Sequence, residues 1–153
     1  MLRKLMTFFQ PDESGAASRP GNTLHLAAAG LLVEAATADD SYGATERATI
    51  ATLCRERFGL SAAEAEELVA EAEEQAKDTN ELYGFTRTVR EQMPPEERVQ
   101  IIEMLWELVY ADGTLHDYEA NLLRRICGLI YVPDRDSGAA RKRAMAKLGL
   151  ADA

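Results

Sequence analysis

The sequence predicts an all-α fold, a compact bundle of about seven or eight helices containing two pseudo-symmetric helix–turn–helix pairs. Three observations predict it. No alternating strand pattern of useful length occurs in the 153 residues. Apolar residues recur at helical spacing between turns marked by Asp, Gly and Pro. One helix–turn–helix grammar also occurs twice: the stretch from Ala111 to Glu119 has a counterpart 73 residues earlier, from Ala38 to Glu46. In that register Leu32, Glu34, Ala38, Asp39, Glu46 and Cys54 fall on Leu105, Glu107, Ala111, Asp112, Glu119 and Cys127, with no gap. An internal duplication accounts for this.

Taken in order, residues 1–21 form an N-terminal extension and residues 22–150 the helical domain. Leu2 to Phe9 reads as a short helix with Leu2, Leu5, Met6 and Phe9 on one face, and Pro11 to Gly21 as a flexible linker. Asn22 or Thr23 can cap the next helix, whose residues Leu24, Leu26, Ala27, Leu31, Leu32, Ala35 and Ala38 leave little polar surface. Such a helix belongs at the centre of a bundle. It stops at Asp39-Asp40, and a second helix runs from about Ala44 to Phe58, ended by Gly59. Ser61 and Glu64 form a capping box opening a third helix, whose glutamates make a solvated acidic face. Asn80 to Gln92 is a further helix with Leu82, Phe85 and Val89 inward. Pro94-Pro95 breaks it and starts the next. There Val99, Ile102, Leu105, Trp106, Val109 and Tyr110 form the second central apolar helix. After the Asp112-Gly113 turn, Tyr118 to Tyr131 buries Leu122, Leu123, Ile126, Leu129 and Ile130 and turns Arg124 and Arg125 outward. Ser137 to Leu148 is the last helix.

Composition bounds the function. The hydrophobic fraction of 46% and charged fraction of 28% describe a soluble globular domain. A formal net charge of −9 argues against general nucleic-acid binding, which needs Lys and Arg against phosphate. The charge is uneven: residues 61–120 carry 16 Asp/Glu against 4 Lys/Arg, whereas residues 121–153 carry 7 Lys/Arg against 3 Asp/Glu. The two cysteines sit inside apolar helical patterns and read as buried thiols, although their equivalence in the repeat leaves a bridge open. No run approaches the length of a membrane span, and the N-terminus is too short in apolar residues for a signal peptide. A cytoplasmic location is expected.

A helix ending in Ala111-Asp112-Gly113, with Leu115 two positions on, Glu119 four further, and then a helix carrying Leu122-Leu123-Arg124-Arg125, resembles the tellurite-resistance protein B (TerB) family. The resemblance covers about Leu24 to Leu148. The first copy departs from the motif, since Asp40 replaces the Gly and Gly43 follows three residues later. The resemblance implies a compact domain of pseudo-two-fold helical pairs with clustered acids. It also implies a link to tellurite and other chemical-stress responses and a divalent-cation role, and no enzymatic activity.

Calcium physics tests the same motif. With Asp112 at the fifth position of an EF-hand loop, Gly113 takes the sixth, Leu115 the eighth and Glu119 the twelfth. The first half fails, because Leu108 and Tyr110 occupy ligand positions. The first copy, in the same frame, starts at Ala35. Neither copy is an ordinary EF-hand. A cation would have to be shared between copies by Asp39, Glu46, Asp112 and Glu119, with Glu34 and Glu107 secondary. All-oxygen ligands favour calcium or magnesium. The competing reading is capping: turn aspartates accept backbone N–H groups, and glutamates at helix N-termini are stabilised by about 0.3–1 kcal/mol.

His25 and His116 lack zinc-site spacing with the cysteines. Nothing resembles a nucleophile elbow or a phosphate-cradling Gly loop, so an enzyme is not expected. The leading expectation is a non-catalytic helical module that binds a protein partner, with a calcium or magnesium sensor or buffer as the alternative. A carboxylate-dependent hydrolase ranks last. Anionic lipid or an acidic partner could meet the basic tail of Arg141, Lys142, Arg143 and Lys147, the N-terminal helix could touch a membrane surface, and a homo-oligomer is compatible with the pattern.

Overall fold

The computed structural model describes residues 20–38, 42–78, 81–111 and 115–150. Among these residues the chain holds seven helices and no strand: α1 (Pro20–Ala36), α2 (Ala44–Phe58), α3 (Ala62–Ala76), α4 (Glu81–Gln92), α5 (Pro95–Val109), α6 (Asp117–Leu129) and α7 (Asp134–Lys147). The expected all-α bundle is what forms. The expected helix over Leu2–Phe9, the linker up to residue 19, and Asp39 and Asp112 lie outside the described residues, whereas Pro20 and Gly21, expected in the linker, are the first turn of α1.

The apolar run of α1 dictates the arrangement. Residues Ala27, Ala28, Ala29, Leu31, Leu32 and Val33 are all buried. A helix buried on consecutive positions has no solvent face, and α1 accordingly packs against α2, α3, α4, α5 and α6. Its start differs from expectation: the helix begins at Pro20, ahead of Asn22 and Thr23. Proline suits that first turn because its missing N–H would have had no intrahelical partner there.

Around this centre the local signals act as the sequence implies. Gly59 closes α2 in the left-handed region at φ 67°, a conformation that costs glycine nothing. Ser61 Oγ accepts the Glu64 N–H at 3.1 Å, and Glu64 Oε1 accepts the Ser61 N–H at 2.8 Å, which opens α3. On α3, Glu64, Glu66, Glu67, Glu71 and Glu74 are exposed. Glu73 departs from that solvated face. It accepts from the Tyr42 hydroxyl and pairs with Arg47 at 3.0 Å, tying the entry of α2 to α3.

The second central helix, α5, buries Ile101, Ile102, Met104, Leu105, Trp106 and Val109, with α7 packed along it. Helix α7 begins at Asp134, three residues before the expected Ser137, because Pro133 holds the extended N-cap conformation (φ −65°, ψ 153°). Ser137 is a buried acceptor instead: the Trp106 indole N–H donates to its Oγ at 3.1 Å. Arg98 ties the start of α5 to its neighbours, with Nε donating to the Met93 carbonyl at 3.0 Å and Nη1 to the Ile130 carbonyl at 2.9 Å. Cys54 and Cys127 are both buried free thiols. Burial pushes the Cys54 thiol up to about 12. It raises Cys127 as well, against a hydrogen bond with Ser137 that lowers it.

The tightest approach lies between α1 and α4. A Cβ built on Gly30 would sit 2.3 Å from Cζ of Phe85, and Phe85 is itself only 3% exposed. The ring has nowhere to retreat. Gly30→Ala should therefore destabilise the domain by about 1–3 kcal/mol, although alanine is the better helix former. Chemical denaturation of the two proteins measures this, and Gly138→Ala is the control, since a Cβ at Gly138 meets nothing within 4 Å.

Candidate functional site

Residues flanking the two copies of the turn meet at one cleft. The end of α1 contributes Ala35 and Ala36, the start of α2 Thr45, Glu46 and Thr49, the end of α5 Leu108 and Val109 followed by Ala111, and the start of α6 Glu119 preceded by His116. The enclosed volume is about 270 Å³. With the 73-residue register, Ala35 corresponds to Leu108, Ala36 to Val109 and Glu46 to Glu119. Equivalent positions of both copies thus line the same space.

Each glutamate reaches back to the entrance of its own helix. Glu46 Oε1 accepts the Gly43 N–H at 2.9 Å, and Glu119 Oε1 accepts the His116 N–H at 3.1 Å. These are the third positions of α2 and α6, where a carboxylate satisfies an otherwise orphaned donor and meets the positive end of the helix dipole. Neither Gly43 nor His116 caps with a side chain. The His116 ring stacks on Tyr118 with centroids 5.7 Å apart. Among the described residues, no group of three or more His, Cys, Asp or Glu side chains is gathered to hold a metal ion. Asp39 and Asp112, each one residue past a described turn end, lie outside them.

Residues 25–142 match the family model described as Tellurite resistance protein TerB. The chain belongs to the TerB family. No curated protein and no solved structure gives a match. The matched span takes in most of α1, all of α2 to α6 and the larger part of α7, so both copies of the turn and the whole cleft are part of the TerB domain.

Glu34 and Glu107, equivalent in the repeat, have taken different roles in this TerB domain. Glu34 is half-buried; burial, and then the neighbouring charge of Glu81, raises its carboxyl above the ordinary range. Glu107 is 3% exposed and fully engaged, with Oε2 2.7 Å from Arg57 Nη2 and Oε1 3.1 Å from Lys147 Nζ. One turn earlier on α5, Glu103 pairs with the same Arg57 nitrogen at 2.9 Å and with Arg143 Nε at 2.6 Å. Burial pushes the Glu103 carboxyl up, but the Arg143 and Arg57 guanidiniums outweigh it and hold it below the usual carboxylate range. Arg57, Glu103 and Arg143 also line a larger groove of about 660 Å³ between α5 and α7. Their charges are spent on one another there.

That network absorbs most of the basic tail. Arg143 and Lys147 pair with α5, and Arg141 Nε donates to the Tyr110 hydroxyl at 2.7 Å while its guanidinium lies 5.7 Å over the Trp106 ring. Lys142 is exposed, with no ion pair among the described residues. The network was detectable in principle. Glu103 and Glu107 are four apart, as are Arg143 and Lys147, a spacing that puts each pair on one helix face. Among the described residues no helix is long and apolar enough to cross a membrane.

Glu107→Ala should cost about 1–3 kcal/mol, because it removes a buried carboxylate that Arg57 and Lys147 share, while Arg57 keeps Glu103 and Lys147 keeps Glu56. Lys147→Ala should cost under about 1 kcal/mol, since its side chain is 45% exposed and water screens the pair. Urea unfolding of both variants measures the difference.

Proposed function

We propose that this TerB protein is a non-catalytic helical module that acts by binding a protein partner in a tellurite-type chemical-stress response, with the cleft between the duplicated turns as its working site. The observation that carries the reading is the shared lining: equivalent residues of both copies converge on one space. The glutamates there are poor candidates for acid–base chemistry, because each already accepts a backbone N–H of its own helix. Apolar walls from Ala35, Leu108 and Val109 with a polar rim of Thr45, Thr49 and His116 suit an inserted side chain of a partner.

Thr49 is half-buried at the cleft rim, and its hydroxyl donates to the Thr45 carbonyl at 3.1 Å. Thr49→Arg should fill the cleft at little cost in stability. In a strain lacking the wild-type gene, that variant should fail to restore tolerance to tellurite while melting within a few degrees of the parent. Full complementation by a folded Thr49→Arg protein would remove the cleft from the function.

A second reading is favoured by one observation, the entry of Glu46 and Glu119 into the same cleft: a calcium or magnesium ion shared between the copies, with Asp39 and Asp112 completing the ligands. Glutamine at the third helix position keeps the cap but lacks the charge. Calcium at millimolar concentration should raise the melting temperature of chelator-treated protein, and the double variant Glu46→Gln/Glu119→Gln should lose that rise while melting normally without calcium. An equal response in the double variant, or none in the parent, excludes the shared ion.

A further inference from the structure

Helices α4 and α6 pack side by side. Tyr83, Arg87 and Arg90 lie at helical spacing along α4, with Arg125 on α6 and Tyr131 just beyond its end. Arg125 Nη2 donates to the Tyr83 hydroxyl at 2.7 Å, and its guanidinium carbon sits 5.6 Å from that ring's centroid. Arg90 lies 5.7 Å over the Tyr131 ring. Both tyrosines are exposed, Tyr83 at 51% and Tyr131 at 69%.

The charge here runs against the chain's net −9. Arg47, Arg57 and Arg143 each meet a carboxylate of a neighbouring helix. On the α4–α6 face the carboxylate in ion-pair reach is Glu91, shared by Arg87 at 3.3 Å and Arg90 at 3.6 Å. Among the described residues Arg125 pairs with no carboxylate and is held by tyrosine alone. A hydrogen bond to a neutral phenol orients a guanidinium without neutralising it, which lowers the entropy lost when a carboxylate arrives.

The backbone supplies an independent observation. Where the first copy ends its second helix with Gly59 at φ 67°, the second copy uses Tyr131 at φ 61°. Val132 N–H closes the turn on the Cys127 carbonyl at 2.9 Å, so Tyr131 stands in the left-handed position of a helix-ending motif that favours glycine. An exposed tyrosine in a strained position is poorly explained by folding alone.

We propose that the α4–α6 face is a docking surface for a carboxylate-rich segment of a partner protein, gripped by Arg125 and Arg90 and covered by Tyr83 and Tyr131. Tyr and Arg are the residue types that dominate binding energy at interfaces, and arginine matches carboxylate geometry with paired donors. This face shares no residue with the cleft, and the proposal stands whether or not the cleft is used.

The test is an NMR titration of the full chain with a short synthetic peptide of alternating Glu and Leu, its Gln–Leu counterpart serving as control. Signals of Tyr83, Arg90, Arg125 and Tyr131 should shift with the Glu peptide alone, and less as salt rises. Arg125→Gln and Tyr131→Gly should each weaken binding about tenfold, a hot-spot-sized loss. Tyr131→Gly should melt no lower than the parent, since glycine relieves the left-handed strain, so lost binding would not reflect lost folding. Lys142→Ala should bind as the parent does. Absence of shifts, shifts confined elsewhere, or unchanged affinity in the two variants overturns the proposal. So does tighter saturation of the same signals by a short oligonucleotide, by phosphatidylserine vesicles or by self-association at high protein concentration.

Discussion

A helix with no solvent face has to be enclosed, and most of this structure follows from enclosing α1. Five helices contribute to that enclosure. Close packing on all sides needs small residues where backbones or rings come nearest, and α1 supplies Ala27, Ala28, Ala29 and Gly30 in succession. Gly30 is the extreme case, because the Phe85 ring occupies the space its side chain would take. The intrinsic weakness of glycine in a helix, about 1 kcal/mol, is accepted here in exchange for burial of a whole aromatic ring, worth more. The same logic explains why α5 tolerates a buried charge. Glu107 lies within reach of cations from two other helices, so its carboxylate is desolvated only in company.

The duplication shows how equivalent positions diverge once packing differs. Glu34 and Glu107 share a place in the repeat, yet one meets a neighbouring carboxylate and the other two cations. The cause lies in what packs alongside. Helix α7 runs against α5 and brings Arg143 and Lys147. Helix α4 packs on α1 and brings Glu81. The helix ends differ too: the left-handed residue is Gly59 after α2 and Tyr131 after α6, one position out of the repeat register. Conservation of the motif therefore marks the frame, while the individual side chains answer to local neighbours.

This also sets what could be read from the sequence. The all-α class, the burial of α1 and α5, the Gly59 stop, the Ser61–Glu64 box and the Pro95 start rest on signals local to one helix, and all of them appear. Two helix starts were legible only loosely, because Pro20 and Pro133 act through a fixed backbone rather than through a capping side chain. Ser137, expected as the first residue of the last helix, lies inside it, and its role depends on Trp106, 31 residues away. The cleft lining was partly legible, since the repeat register already paired Glu46 with Glu119. The ionic network showed only as the four-residue spacings of Glu103 with Glu107 and Arg143 with Lys147, and the Arg–Tyr face not at all, because the pairings depend on which helices become neighbours.

Capping and cation binding, the two readings of the glutamates at the turns, compete less than they first appear to. A carboxylate offers about four lone-pair positions, and a backbone N–H takes one. Each cap uses Oε1, which fixes the plane of the group at a helix entrance. A rigid carboxylate is a better ligand than a mobile one, because less side-chain entropy is lost on binding. The helix dipole acts in the opposite direction: its positive end stabilises the carboxylate and repels a cation by a comparable amount. A shared ion at this cleft would therefore depend on charge from beyond the two caps, and the aspartates at 39 and 112 are the groups in the motif able to supply it. The two caps by themselves start two helices.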